Sequence, residues 1–271
     1  MAAGRNESNL PTEKNDSQHC EPSWIEHLSS SKTPSVRLFC FPYAGGSGDV
    51  YRSWRRFLPE ELDVCLAHLP GHGGNVGKKP FTSFPALLKE IADRISPLID
   101  IPYVLYGHSM GALISFELAR ELRLRAGAAP QHLFVSGCNA PQLPRKEPVT
   151  FSLPKDEFLR ELRRLKGTPA EVLENPELME LFMDVLRADF EMVQTYEHIP
   201  GEPLSCPITV YGGLADEYVS AAGCQAWKQQ TSATCKVRMF KGDHFFIRNP
   251  DQDFIHILQM DILQTILRVQ R

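Results

Sequence analysis

Six short apolar runs, at 36–41, 63–69, 103–106, 132–136, 208–211 and 237–240, punctuate the chain, and glycine, proline or another turn residue closes each one. Runs of this length between turn signals read as strands buried on both faces. Stretches of helical period lie among them. Residues 84–95 carry Leu87, Leu88, Ile91 and Ile95 on one face. Residues 111–124 are apolar over a wide arc that includes Leu113, Ile114, Phe116, Leu118, Ala119 and Leu122, and 254–269 carry Ile255, Leu258, Ile262, Ile266 and Val269. Strands alternating with helices predict an α/β fold: a mostly parallel sheet with helices on both faces.

One stretch breaks the alternation. Residues 154–198 hold no convincing strand but read as helical at 157–165, 169–173 and 176–197. They fall between the fourth and fifth strands. We read them as a helical lid insertion, about 151–200, over the C-terminal edge of the sheet; the alternative is one more pair of covering helices. Its large apolar residues (Phe158, Leu162, Leu178, Phe182, Met183, Phe190, Met192) are suited to lining a channel or to packing on the core. Residues 1–31 are polar and are expected to form a disordered or loosely docked arm, with Trp24 and Ile25 the candidates for docking. Residues 32–271 are expected to form one domain.

Bulk properties exclude several classes. With 29 Lys+Arg against 33 Asp+Glu in 271 residues, the net charge is −4, which argues against a nucleic-acid binder relying on net positive charge. The 42% hydrophobic and 23% charged content is ordinary for a globular chain and excludes collagen, coiled coil and bulk disorder. The 7 cysteines include no C-x-x-C pair and sit largely in apolar runs, as expected of small buried residues in a reducing compartment. There is no signal-like N-terminal apolar stretch and no run near 18 apolar residues, so a cytoplasmic address away from membranes is expected.

The chemistry is concentrated after the third strand. Gly107-His108-Ser109-Met110-Gly111 matches G-x-S-x-G, follows an apolar strand directly and opens a helix, which is the setting of a nucleophile elbow. A serine hydroxyl needs a base, and the base needs a carboxylate to fix its tautomer. In chain order the acid and then the histidine follow the serine. His244, in the loop after the sixth strand, remains when histidines before the elbow, inside it, or within strand, lid and last helix are set aside. Asp216 is the first carboxylate after the fifth strand; Glu217 is its competitor, and a helix cap is its alternative role. The loop Pro42-Tyr43-Ala44-Gly45-Gly46-Ser47-Gly48 suits an oxyanion hole, with the Ala44 N–H preferred over that of Tyr43 as partner to the Met110 N–H. Losing one such donor typically costs about 3–4 kcal/mol in the transition state. The loop lacks the G-K-[ST] ending of a phosphate cradle.

Together, residues 39–47, Leu69-Pro70-Gly71, the elbow, 212–216 and Gly242-Asp243-His244-Phe245 resemble, in order, the type II thioesterases of the α/β-hydrolase superfamily. These are the stand-alone thioesterases of polyketide and nonribosomal peptide synthesis and the related fatty-acyl carrier-protein hydrolases. The family often has His or Trp in place of Tyr43, and Arg in place of His72. The resemblance implies hydrolysis of an acyl thioester on the phosphopantetheine arm of an acyl or peptidyl carrier protein, with no metal or redox cofactor, no nucleic acid and no membrane. A monomer is expected. Acyl chain length, and editing against chain release, stay open. So do two other functions: a carboxylesterase of small esters, and a non-catalytic binding protein on a hydrolase fold.

Overall fold

The computed structural model describes residues 24–28, 31 and 33–270. All six expected strands are present: β2 (Val36–Phe41), β3 (Leu62–Ala67), β4 (Tyr103–His108), β5 (His132–Ser136), β6 (Ile208–Gly213) and β7 (Cys235–Phe240). They pair in parallel, and a short edge strand, β1 (Ile25–His27), adds antiparallel to β3. The order is β1-β3-β2-β4-β5-β6-β7. The chain thus winds one way from β2 to β3 and the other way from β4 to β7. The switch point falls between β2 and β4, where loops leaving the carboxyl ends of adjacent strands open a crevice. The register pairs Phe41 with Gly107 there, so the candidate oxyanion loop and the elbow start side by side.

Helices cover both faces. α1 (Phe84–Ile95) and α2 (Met110–Ala126) pack on one face, where Leu87, Ile91, Ile114, Phe116, Leu118 and Leu122 are buried. α6 (Gln252–Val269) covers the other with Phe254, Leu258, Ile262 and Ile266. The sheet separates these two apolar clusters, so strand residues alternate between them: Leu38 and Cys40 face one, Phe39 and Phe41 the other.

Sheet pairing begins earlier than the expected domain start at residue 32. Most of 1–31 lies outside the described residues, but Trp24 to His27 are held on three sides. Trp24 packs edge-on to Phe81 with the Arg94 guanidinium 4.3 Å above its ring. His27 Nδ1 lies 2.8 Å from Asp63, and Glu26 bonds both Arg52 and His68. Among the described residues all six cysteines are free thiols, and burial pushes those of Cys138 and Cys206 up to about 12; Cys20 lies outside the described residues. No helix among the described residues is long and apolar enough to cross a membrane.

The insertion contains α3 (Lys155–Leu165), α4 (Ala170–Leu173) and α5 (Pro176–Gln194). Asn175 caps α5 by accepting from the Glu177 and Leu178 N–H groups. Phe158, Leu162, Met179, Met183 and Leu186 form a small cluster distinct from the two beside the sheet, with Phe182 and Phe190 packed against it. Met192, near the end of α5, instead belongs to the main core, and Leu178 lies at the surface. A separate small core belongs to the low-stability end of a structure. We therefore expect amide hydrogen exchange over α3, α4 and the first half of α5 to be faster than over β4. Covalent attachment of an acyl-phosphonate to Ser109 should slow it. Exchange as slow as in β4 and unaltered by the phosphonate would make the insertion a fixed part of the core.

Candidate active site

Ser109 stands between β4 and α2 with φ 54° and ψ −113°, a conformation that costs a non-glycine residue about 1–3 kcal/mol. The surrounding structure holds it there. Its N–H donates to the Ser136 carbonyl at the end of β5 (2.8 Å). A Cβ on Gly111 would overlap the Phe41 carbonyl, and one on Gly107 would overlap the Gly111 carbonyl. The elbow thus needs glycine on both sides because α2 enters directly against the end of β2. Met110 is the first helical residue, and the first N–H groups of a helix have no intrahelical acceptor.

His244 and Asp216 come together although 28 residues separate them: His244 Nδ1 lies 2.8 Å from Asp216 Oδ2. The Asp216 carboxylate is fully buried, and its other oxygen accepts from the N–H groups of Tyr218 (2.8 Å) and Val219 (3.1 Å). Asp216 therefore both shapes its own loop and holds the imidazole. Glu217 is exposed, and Asp243 is turned back to the Phe245 N–H. With Nδ1 facing the carboxylate, Nε2 is the nitrogen left to take a proton. The rings of Tyr218 and Phe245 meet His244 edge-on, at 5.9 and 5.0 Å.

His108, within the elbow, is a packing residue. It is buried between Tyr43, His244 and Phe246, with Nδ1 2.9 Å from Ser136 Oγ. Burial, and then the charge of His244, push its pKa well below that of an ordinary imidazole, so it stays neutral.

The candidate oxyanion loop is a tight turn closed by the Gly46 N–H donating to the Tyr43 carbonyl (2.9 Å), with Gly45 at φ 76°. Ala44 is its second residue and stands next to the elbow through the pairing of β2 with β4. The Tyr43 hydroxyl accepts from Arg248 Nε (2.7 Å), whose guanidinium lies over the Tyr43 and Phe245 rings. Arg248 also bonds the carbonyls of Lys166 and Gly167, just after α3. It thereby links the oxyanion loop, the His244 loop and the insertion.

Sequence reasoning missed Arg248 and a second link. Asp189, on α5, is fully buried, and its Oδ2 accepts from the Gly45 N–H and from His72 Nε2, both at 2.7 Å. His72, 3% exposed, also turns Nδ1 to the Pro70 carbonyl (3.1 Å). Both ring nitrogens thus face acceptors, and both bonds form only when each carries a proton. Burial alone would lower the His72 pKa; the charge and hydrogen bond of Asp189 outweigh it and raise the pKa. The signal available in the sequence was an acid within an apolar helical stripe, beside Val185, Leu186, Ala188 and Met192.

A parallel sheet of this order with a serine elbow, an Asp–His pair beyond it and a helical insertion defines an α/β-hydrolase. The thioesterase domain family matches residues 36–262. The chain is 41% identical over 235 residues to the gramicidin S biosynthesis protein GrsT of Aneurinibacillus migulanus, covering 87% of this chain and 92% of that protein. It is 30% identical over 232 residues to the human S-acyl fatty acid synthase thioesterase, medium chain, covering 82% and 85%. Among solved structures, the type II thioesterase BorB from the borrelidin biosynthetic cluster superposes with a TM-score of 0.80 at 30% identity, covering 90% of this chain and 97% of that one. The chain belongs to the thioesterase family, and its reaction is thioester hydrolysis.

The raised His72 pKa has a pH signature. The stabilisation from its pair with Asp189 is fully present below the unfolded value of about 6.5 and is lost as pH rises through the higher folded value. Urea unfolding of the native protein and of His72→Gln, followed from pH 6 to pH 9, should show a stability difference that shrinks with rising pH. A difference constant over that range would mean that His72 carries no charge in the fold.

Proposed function

We propose that Ser109, His244 and Asp216 are the nucleophile, base and orienting acid of this thioesterase, and that its substrate is an acyl group on the phosphopantetheine arm of a carrier protein. The observation carrying this reading is the buried Asp216–His244 pair beside a serine held in a strained turn at a helix N-terminus. His244 Nε2 takes the Ser109 hydroxyl proton as Oγ attacks the thioester carbonyl. The negative oxygen that forms is met by the Met110 and Ala44 N–H groups. As the carbon–sulfur bond breaks, His244 returns the proton to the leaving thiol. Water then attacks the acyl-serine with His244 again as base, releasing the acid and restoring the hydroxyl. Asp216 keeps the imidazole in the required tautomer and stabilises its charged form.

The carrier-bound substrate is supported by the company the chain keeps. The 41% match is to a protein of gramicidin S biosynthesis and the 30% match to a fatty acid synthase thioesterase. The higher identity favours a place beside a peptide or polyketide synthase, removing acyl groups that block its carriers. Rates against acetyl- and decanoyl-carrier protein test this, and an editing role predicts efficient turnover of the acetyl form.

Ser109→Ala should abolish turnover while leaving the fold intact, since only a hydroxyl is removed, and it should prevent labelling by a fluorophosphonate. Asp216→Asn should lower kcat by about 10⁴-fold, as loss of the orienting carboxylate does in other triads, whereas Glu217→Gln should have little effect. Reversed effects at 216 and 217 would reassign the acid, and Ser109→Ala retaining more than a few per cent of native turnover would reassign the nucleophile.

A further inference from the structure

The buried Asp189 carboxylate has no part in the steps above. Its placement is unusual for a side chain that only holds a helix down. One oxygen, Oδ2, takes both the Gly45 N–H and His72 Nε2, while Oδ1 has no partner among the described residues. Burying an ion pair is seldom a net source of stability, because desolvation offsets the attraction. A partly satisfied carboxylate is thus poorly explained by stability alone. What it does do is fix one particular peptide group.

That peptide is the centre of the turn closed by the Gly46 N–H and the Tyr43 carbonyl. A positive φ at its third residue, Gly45 at 76°, is that of a type II turn. The common alternative, type I, has this peptide reversed and a negative φ at the third residue. Glycine accepts either sign at little cost. The local sequence therefore does not choose between the two turns. Only in the observed one does the Gly45 N–H point at Asp189; in the reversed one a carbonyl would face the carboxylate.

We propose that Asp189 is a positioning residue for the oxyanion loop: from the lid helix it fixes the central peptide of the turn, and with it the neighbouring peptide that carries the Ala44 N–H. The proposal rests on the reading of Ala44 as an oxyanion donor. Seating of α5 and assembly of the oxyanion hole are then one event. When α5 lifts, Gly45 loses its acceptor and the turn that carries the Ala44 N–H is no longer held in one place, so hydrolysis is favoured only under a closed lid. His72 holds the same carboxylate oxygen from the other side.

The test uses a short probe, the acetyl thioester of N-acetylcysteamine, whose binding does not depend on lid contacts along an acyl chain. Asp189→Ala should lower kcat by about 10- to 100-fold, within the loss expected for one oxyanion donor, and change KM less than about threefold. Affinity for a trifluoromethyl ketone, which forms a tetrahedral oxyanion on the serine, should fall in parallel. Asp189→Asn, whose amide oxygen can accept the same two bonds, should recover most of kcat. Because Asp189→Ala risks misfolding, the double variant His72→Leu/Asp189→Leu replaces both buried groups by apolar ones and leaves Gly45 without its acceptor. It should fold and show the same loss in kcat. A folded Asp189→Ala or double variant with native kcat and ketone affinity, whatever its melting temperature, would overturn the proposal. Fluorophosphonate labelling separates the two failures. Unlabelled Ser109 in the native protein sinks the mechanism itself, whereas normal labelling with native kcat in these variants sinks only the role of Asp189.

Discussion

Everything at the reaction centre depends on how closely the first turn of α2 presses against the end of β2. The Gly111 backbone lies so near the Phe41 carbonyl that a single methyl group would not fit. This contact sets the two segments with the candidate oxyanion donors beside each other: the start of α2, with the Met110 N–H, and the turn that follows Phe41. It also forces the chain through Ser109 in a conformation that an L-residue adopts only under constraint. The constraint comes from the sheet. Five parallel registers from β2 through β7 and the hydrogen bond from Ser109 N–H to Ser136 fix the elbow from both sides. Strain at Ser109 is thus distributed into backbone pairing that would be lost only with the fold.

The parts of the structure that were legible in sequence are those written in local code. The parallel strands are buried on both faces, so each appears as an unbroken apolar run whose ends the turn residues mark. Even here glycine misled: β4 and β6 continue through Gly107-His108 and Gly212-Gly213, where composition alone suggests that the strand has ended. β1 was missed for the opposite reason. It is three residues long and carries Glu26 and His27, which are paired by side chains from β3 and the segment after β2. Ser109, Asp216 and His244 could be placed because strand ends restrict where such groups stand. Asp189 could not be placed, because its partners lie 117 and 144 residues away, and no local pattern says which of many acids a fold will bury.

His72 shows why a position near an active site is poorly read from its residue type alone. It stands just after a Pro-Gly turn, where a loop residue is ordinarily at the surface. It is instead sealed beneath α5, where a charge is tolerated only because Asp189 opposes it at 2.7 Å. The Cβ position of Gly71, one residue earlier, is filled by Val185 of the same helix. The segment 69–72 is therefore where α5 rests on the body of the fold.

The insertion is held at two places of unequal strength. At the end of α3, Arg248 bonds the carbonyls of Lys166 and Gly167 from a partly exposed position, and water can replace those bonds when they open. Each is worth no more than about 1–3 kcal/mol. On α5, parting Asp189 from His72 in place would leave a buried charge unopposed, at about 3–5 kcal/mol, unless water follows. Met192, about one turn further along α5, is part of the main core. Separating the insertion from the rest of the fold therefore costs least at the α3 end and most at α5. The order follows from dielectric environment more than from contact area. The peptide between Ala44 and Gly45, bonded to Asp189, lies at the more strongly held of the two places.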